Sequence, residues 1–406
     1  EVTARLSKYL AAGKVELIGG SYGQPLGTSV LGESNIRQVV LGREVIRKVL
    51  GYEMVTFLEE EEFTHPQLPQ IIAGTGFKYG SMAQVDTWGR AGMPVVELNA
   101  LHWKGIDGST IVCSPRNELF GWAPDTKTLT SPVMGRLKKL GKPLIFTWAE
   151  FGWEDPEKPS YLTSADAYIK LAEKTNVEYV TLQEYMDKYN PDPKETVYFK
   201  MDEWNKSLAF GLGGDQIRIY DRQLEGLLLA AECFDALAST LGARAKPALM
   251  EKAWKDHLAS QSHDVALCEY SRWQGNRMTV LDRVEDLHNF TWGAIGYNHM
   301  DAAWKQGKEI LDDAMANIVK NINSKAAKKG PLAVTVFNPS GWGRSEVVTT
   351  GRMYPINEKA KGIIEKIKRN GELTEQELAD ATDFISYTTG EDAVKVQQIL
   401  NEKQPE

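Results

Sequence analysis

The sequence predicts an α/β domain that gives way to a helical bundle and then returns to strand. Over residues 1 to about 190, short apolar runs alternate with helical patterns, the signature of parallel strands joined by crossover helices. From about 215 to 325, apolar residues recur at i, i+3 and i+4, which suits a three-helix bundle. Leu332 to Phe337 then reads as a strand closed by Asn338-Pro339-Ser340-Gly341.

The elements follow in order. Val15 to Ile18 is a strand candidate that runs into a glycine-rich loop. Ser34 is placed to N-cap a helix reaching Leu50, with Ile36, Val39, Val40, Val45, Ile46, Val49 and Leu50 at helical spacing. Val55 to Leu58 is strand-like, and Gln67 to Ala73 opens another helix. Strands follow at Ile111 to Cys113, Leu144 to Thr147 and Val177 to Val180, with helices at Ser164 to Lys174 and Leu182 to Tyr189. Asn190-Pro191-Asp192-Pro193 breaks the pattern. Beyond it, helices are expected at 216–241, 247–260 and 281–322, the last interrupted near Gly293 to Gly296. Pro247 suits a first helical position, where its missing N–H costs nothing. The boundaries expected are therefore 1–190 for the α/β part, 200–326 for the bundle, 331–350 for the strand entry and 355–406 for a polar helical tail. In that tail Thr374 and Glu377 have the spacing of a capping box.

Bulk composition narrows the function. The 406 residues are 42% hydrophobic and 25% charged, within the range of ordinary globular chains. A net charge of −8 argues against nucleic acid as a partner, because there is no basic excess to neutralise phosphates. Cys113, Cys233 and Cys268 are odd in number and far apart, so neither a disulfide framework nor a cysteine zinc cluster is expected. No run approaches the length of a membrane span. No secretory leader is visible, but the first residue is Glu, so location is left open.

The chemistry concentrates between Gly19 and Gln70. Here a glycine-rich loop, the phrase Gly32-Glu33-Ser34-Asn35-Ile36-Arg37-Gln38, a strand ending in Glu59-Glu60-Glu61-Glu62, His65, and Gln67-Leu68-Pro69-Gln70-Ile71 follow one another. Carboxylates at the carboxyl end of a strand are where barrel-type α/β enzymes hold their chemistry. Later come Gln261-Ser262-His263-Asp264 and Phe337-Asn338-Pro339-Ser340-Gly341-Trp342. With these phrases in this order, residues 10 to 348 resemble glycoside hydrolase family 38, the zinc-dependent α-mannosidases. The resemblance implies a seven-stranded (β/α) barrel-like domain, incomplete here, then a three-helix bundle and a β-sandwich stub. Two parts of the family pattern are not found. Nothing before Gly19 supplies its H-x-D-x-x-W strand, which carries two zinc ligands, and the residues after Trp342 are too few for the sandwich.

Carried over residue by residue, the resemblance makes Glu61 the equivalent of the family's aspartate nucleophile and zinc ligand when Phe63 and His65 are the anchor. Counting back from Gln67 selects Glu60 instead. The bland reading of this run is a solvated acidic loop. Glu150 ends a strand before Phe151, as the family's acid/base aspartate stands before an aromatic residue. Trp148 and Trp153 flank it, and their indole faces suit sugar rings. A strand end with two core tryptophans explains the same letters. His263 would be a zinc ligand, oriented by or next to Asp264, which would face substrate; a helix-end histidine is the alternative. His65 and His102 read as structural or rim residues. Asp86 and Trp88 could line the cleft, though nothing places them there. His299-Met300-Asp301-Ala302-Ala303-Trp304 fits H-x-D-x-x-W by letter but lies in a helical region. There residues i and i+2 are about 200° apart and cannot face one metal.

The expected function is α-mannosidase-like retaining hydrolysis of glycans, impaired to the extent that the metal-binding strand is missing. Zinc would be held partly by His263 and Glu61. The alternative is a non-catalytic glycan-binding or structural remnant of such an enzyme. A metal-dependent deacetylase would need a His-x-x-x-His pair, which the sequence lacks.

Overall fold

The computed structural model describes residues 2–59, 65–82, 95–117, 119–121, 126–147, 169–200, 203, 214–267, 271–274, 277–280, 292–322, 335–345 and positions 366, 374, 376 and 377. The chain divides into two compact units, 1–316 and 317–406.

The first unit opens with helix α1 (Val2–Ala11). Residues 15–18 do not join a strand; Gly19 alone bridges in parallel to Phe57. Helix α2 (Gly32–Leu50) starts two residues earlier than its expected cap, with Leu31 at the N-cap. Ser34 therefore does not cap. Its N–H and hydroxyl both turn to the Glu225 carboxylate, which takes over one of the orphan donors of the first turn. The helix ends at Gly51, whose φ of 63° permits the left-handed closing turn onto Arg47 O.

A five-stranded sheet follows. Its order is β1 (Thr56–Phe57), β2 (Tyr79–Ser81), β4 (Thr110–Ser114), β3 (Leu101–Lys104) and β7 (Thr196–Val197). β1 pairs in parallel with β2, β2 with β4, and β3 with β7. Helix α3 (Leu68–Gly74) makes the crossover between β1 and β2. The expectation of parallel strands fails at one step, because β3 and β4 are antiparallel. The physical reason is the connection: Gly105 to Ser109 is too short to cross over, and Gly108 at φ 90° with an Asp107–Ser109 turn closes a hairpin instead. The last strand, β7, comes from beyond the Asn190 to Pro193 break. A separate parallel pair joins β5 (Phe120–Gly121) to β6 (Phe146–Thr147). Helices α4 (Thr126–Thr130), α5 (Pro132–Leu137) and α6 (Leu182–Tyr189) complete this part. Residues 177–180 are not in a strand. The core sits between α2, α3 and the sheet, with Val39, Phe57, Leu68, Ile72, Leu101, Trp103 and Ile111 all buried.

Helices α7 (Gly214–Thr240), α8 (Pro247–Ser260), α9 (His263–Leu267) and α10 (Trp292–Lys320) follow. A hairpin of β8 (Ser271–Gln274) and β9 (Arg277–Val280), unforeseen from the sequence, precedes α10. The three long helices share a second core of Leu224, Leu228, Met250, Trp254, Met300 and Ile310. α10 begins at Trp292, so Gly293 and Gly296 fall in its first turns; residues 281–291 of the expected helix lie outside the described residues. Gly296 is there for packing: a Cβ would stand 2.2 Å from Val265 Cγ1. The expected strand at Leu332 to Phe337 lies partly outside the described residues, and 335–345 contain none. In the tail the capping box forms, with Thr374 N–H donating to Glu377 Oε2 at 2.9 Å and Glu377 N–H to Thr374 Oγ1 at 3.2 Å.

Candidate functional site

At the carboxyl end of β1 the chain reaches Glu59, which is buried. The glycine-rich loop lies alongside. Gly19 pairs with Phe57, Leu58 N–H reaches Gly19 O at 3.4 Å, and Ser21 N–H donates to Glu59 Oε1 at 2.7 Å. Close approach requires the glycines. A Cβ on Gly20, at φ 146°, would lie 2.7 Å from the Phe57 ring, and one on Gly42 of α2 would lie 2.4 Å from Gly20 O. The loop is thus clamped between the strand end and α2.

The far side of the loop meets the QSHD segment. Gln24 sits at φ 49°, a left-handed conformation that non-glycine residues adopt only when their surroundings dictate it. Ser21 Oγ accepts its N–H at 3.0 Å. Its carbonyl accepts the backbone N–H of His263 at 3.1 Å and also lies 3.1 Å from His263 Nδ1. A carbonyl can only accept, so Nδ1 carries a proton. Nε2 is 3.5 Å from the Asp264 carboxylate. Pro25 and Ser262 add an antiparallel bridge. One short loop therefore links the strand-end carboxylate Glu59 to His263.

Behind the loop lies a buried polar cluster that the sequence did not announce. Gln38 Oε1 accepts Gly23 N–H at 2.7 Å, and its Nε2 donates to Leu258 O at 2.9 Å and Gln261 Oε1 at 3.0 Å. Gln261 Nε2 reaches Asp221 Oδ1 at 2.8 Å and Ser34 Oγ at 2.9 Å. Ser34 Oγ is 3.2 Å from His257 Nε2, and His257 Nδ1 is 3.7 Å from Asp221 Oδ1. Burial pushes the Asp221 carboxyl up to about 7 and holds the His257 imidazole down at about 3. Glu225 is also raised by burial. Ser, His and Asp in this order resemble a nucleophilic triad. Ser34 and His257 are fully buried, however, so no substrate reaches them. The signal that could have found the cluster is the phrase from Gly32 to Gln38, in which each polar side chain docks α2. Glu33 and Glu232 pair with Arg37 at 2.7 Å, Arg37 lies 4.0 Å over the Trp254 ring, and Asn35 donates to Gly27 O at 2.9 Å.

Of the residues expected from the sequence, Glu61, Glu60, Glu150, Trp148, Trp153, Asp86 and Trp88 lie outside the described residues. His263 is buried and Asp264 half-buried. His65 is buried beside Gln67 Oε1 at 3.2 Å, and burial lowers its imidazole to about 4. His102 contacts Asp192 at 3.2 Å. The His299 to Trp304 letters fall inside α10. There Nδ1 of His299 meets Asp256 at 3.1 Å, Tyr220 donates to Asp301 at 2.8 Å, and Met300 and Ala303 are core. Among the described residues, no three His, Cys, Asp or Glu side chains could hold a metal ion together. Nδ1 of His263 is held by a backbone carbonyl, as in many metal-ligating imidazoles, but the described residues alone do not make a closed site. No described helix is long and apolar enough to cross a membrane.

Residues 1–202 match the sequence model of the Glycosyl hydrolases family 38 N-terminal domain. Among solved structures, the chain is similar to an α-mannosidase from Enterococcus faecalis V583, at TM-score 0.53 and 16% identity, over 77% of this chain and 35% of that one. It is also similar to a 4-α-glucanotransferase from Thermococcus litoralis, at TM-score 0.46 and 16% identity, over 74% and 50% of the two chains. A branching enzyme from Thermococcus kodakaraensis gives TM-score 0.46 and 12% identity, over 78% and 68%. At these identities the α-mannosidase likeness speaks for a common fold, and the present chain spans about a third of that enzyme. Among curated proteins none matches this sequence.

Proposed function

Because residues 1–202 form a glycoside hydrolase family 38-like N-terminal domain, we propose that the chain acts as an α-mannosidase-like retaining glycoside hydrolase on glycans. The observation that carries the reading is the 19–25 loop, which ties the buried strand-end Glu59 to His263 of the QSHD segment. It supports a cleft at the carboxyl end of β1, where the glutamate run continues from Glu59. On this reading the α/β part is a seven-stranded barrel-like domain and residues 331–350 open a β-sandwich.

In the proposed chemistry Glu61 is the nucleophile and Glu150 the acid/base, because retention needs two carboxyl groups about 5 to 5.5 Å apart. Trp148 and Trp153 stack on sugar rings and hold the Glu150 carboxyl protonated by desolvation. Asp264 receives sugar hydroxyls. His263 and Glu61 contribute to holding zinc, which when bound supplies Lewis-acid stabilisation of developing charge. The chain's own part is to orient His263 through Gln24.

The test is turnover of an aryl α-mannoside with zinc supplied, with the first-formed anomer read by NMR. Release of the α-anomer, abolished by a chelator and lowered by roughly 10² to 10⁴ in Glu61→Gln and Glu150→Gln, is the expected result. Loss in Glu60→Gln with Glu61→Gln unaffected would move the nucleophile to Glu60. Glycan binding without any turnover would replace the enzyme with a binding module.

A further inference from the structure

Two glutamines, Gln38 of α2 and Gln261 after α8, are buried at 0% and 7% exposure and touch each other at 3.0 Å. Their amides can be oriented in one way only. Gly23 offers an N–H, so Gln38 must present its oxygen there, at 2.7 Å. Leu258 offers a carbonyl, so the Gln38 nitrogen must face it, at 2.9 Å. The second Gln38 proton is then directed at Gln261, which must answer with its oxygen and turn its own nitrogen to Asp221 and Ser34. Two backbone groups thereby dictate the polarity of both side chains.

The pair acts on a loop already under constraint. A Cβ on Gly23 would lie 2.4 Å from Leu258 O, so the loop is seated backbone to backbone on the end of α8. Its next residue, Gln24, is the left-handed one whose carbonyl accepts the backbone N–H of His263 and meets Nδ1 of its ring. On the other flank Ser21 is held by Glu59. The amide pair is thus the anchor between the fixed helix ends and the carbonyl that sets the imidazole.

We propose that Gln38 and Gln261 are positioning residues, a paired-amide brace that seats Gly23 and thereby holds the His263 ring with Nδ1 on the Gln24 carbonyl. The proposal rests on the functional reading above only for what His263 then does. Its geometry and its test stand without turnover.

The experiment uses the full chain with ¹⁵N-labelled histidine, the His263 signals being assigned by their loss in His263→Gln. The native protein shows Nδ1 protonated and slow to exchange. Gln38→Met keeps the volume but makes none of the three bonds. With native circular dichroism, its His263 ring shows mixed tautomers and faster exchange of the Nδ1 proton, and Gln261→Met does the same. Gln38→Glu keeps the acceptor for Gly23, and its carboxylic acid form restores one donor. Its His263 spectrum matches the native one at pH 5.5 and departs from it at pH 8. If Gln38→Met does not fold, the Gln38→Glu comparison decides. A native His263 spectrum in folded Gln38→Met, or in Gln38→Glu at both pH values, overturns the brace. Where the native protein turns over an α-mannoside, Gln38→Met lowers kcat about tenfold with KM unchanged. An inactive native protein with the expected spectra refutes the enzyme reading and leaves the brace standing.

Discussion

Removing one member of the Asp221–His257 pair should uncover a pH dependence of stability that the pair conceals. Asp221 is 4% exposed and His257 is 0% exposed. Burial raises Asp221 to about 7, against about 3.9 in an unfolded chain, and lowers His257 to about 3, against about 6.5. A group whose folded pKa is raised stabilises most below its unfolded pKa, so Asp221 alone loses stability as pH rises from about 4 to 7. A group whose folded pKa is depressed in this way is neutral when buried, so His257 alone loses stability as pH falls from about 6.5 to 3. Between about pH 4 and 6.5 the slopes are opposite, each about 1.4 kcal/mol per pH unit. On folding, in effect, one proton passes from the histidine to the aspartate, and the pair binds the same number of protons in both states.

The native protein is therefore flat over this window as far as the pair is concerned. Asp221→Asn leaves the histidine slope, and the variant gains about 2 kcal/mol relative to native between pH 4.5 and 6.5. His257→Gln leaves the aspartate slope and loses about 2 kcal/mol over the same interval. Each change corresponds to roughly 4–8 °C in Tm for a domain of this size. Scanning calorimetry at pH 4.5, 5.5 and 6.5, with variant minus native compared at each pH, cancels titrating groups that do not interact with the pair; the charges that act on Asp221, Glu225 raising it and Arg222 and Arg218 lowering it, are kept in every variant. Parallel profiles for all three proteins would refute the argument, since they would mean that both groups keep their unfolded protonation in the folded state.

Further tests address the packing. Gly23→Ala forces a Cβ to within 2.4 Å of a backbone oxygen and should cost about 1–3 kcal/mol, read as a lowered Tm with wild-type circular dichroism at low temperature. Gly296→Ala meets Val265 at 2.2 Å, and a loss of about 1–3 kcal/mol is expected in the same assay. Deleting residues 356–406 should leave Tm within a few degrees. The contacts described there, the Thr374–Glu377 box and the Lys366–Glu377 pair at 2.8 Å, are local. A collapse of soluble expression would instead show that the tail shields apolar surface such as Val336 and Trp342, which are 62% and 71% exposed.

What was legible in the sequence had a local cause. The spacing of Val39, Ile46 and their neighbours gives α2, Pro247 starts α8, Leu182–Tyr189 is a helix to the residue, and Thr374 and Glu377 form their box. What was not legible depended on partners distant in sequence. Ser34 carries every mark of an N-cap, yet its hydroxyl goes to Glu225, 191 residues away, because a buried carboxylate offers the stronger bond. The antiparallel β3–β4 step is coded by Asp107-Gly108, a turn signal masked by the alternation around it. The same distinction bears on the two phrases that carried the family resemblance. The GES-x-IRQ residues pair with α7, α8 and the glycine loop, and the glutamine of QSHD closes the network with Gln38 and Asp221. His263, later in that phrase, is held instead by the Gln24 carbonyl of the glycine loop. In this chain these phrases hold the bundle to the α/β part. A chain can therefore keep them intact for assembly alone, and their presence does not by itself decide between catalysis and binding. On the function proposed here that decision falls to Glu61 and Glu150, where a single methylene of extra length relative to aspartate must still bring two carboxyl groups to the separation that retention requires.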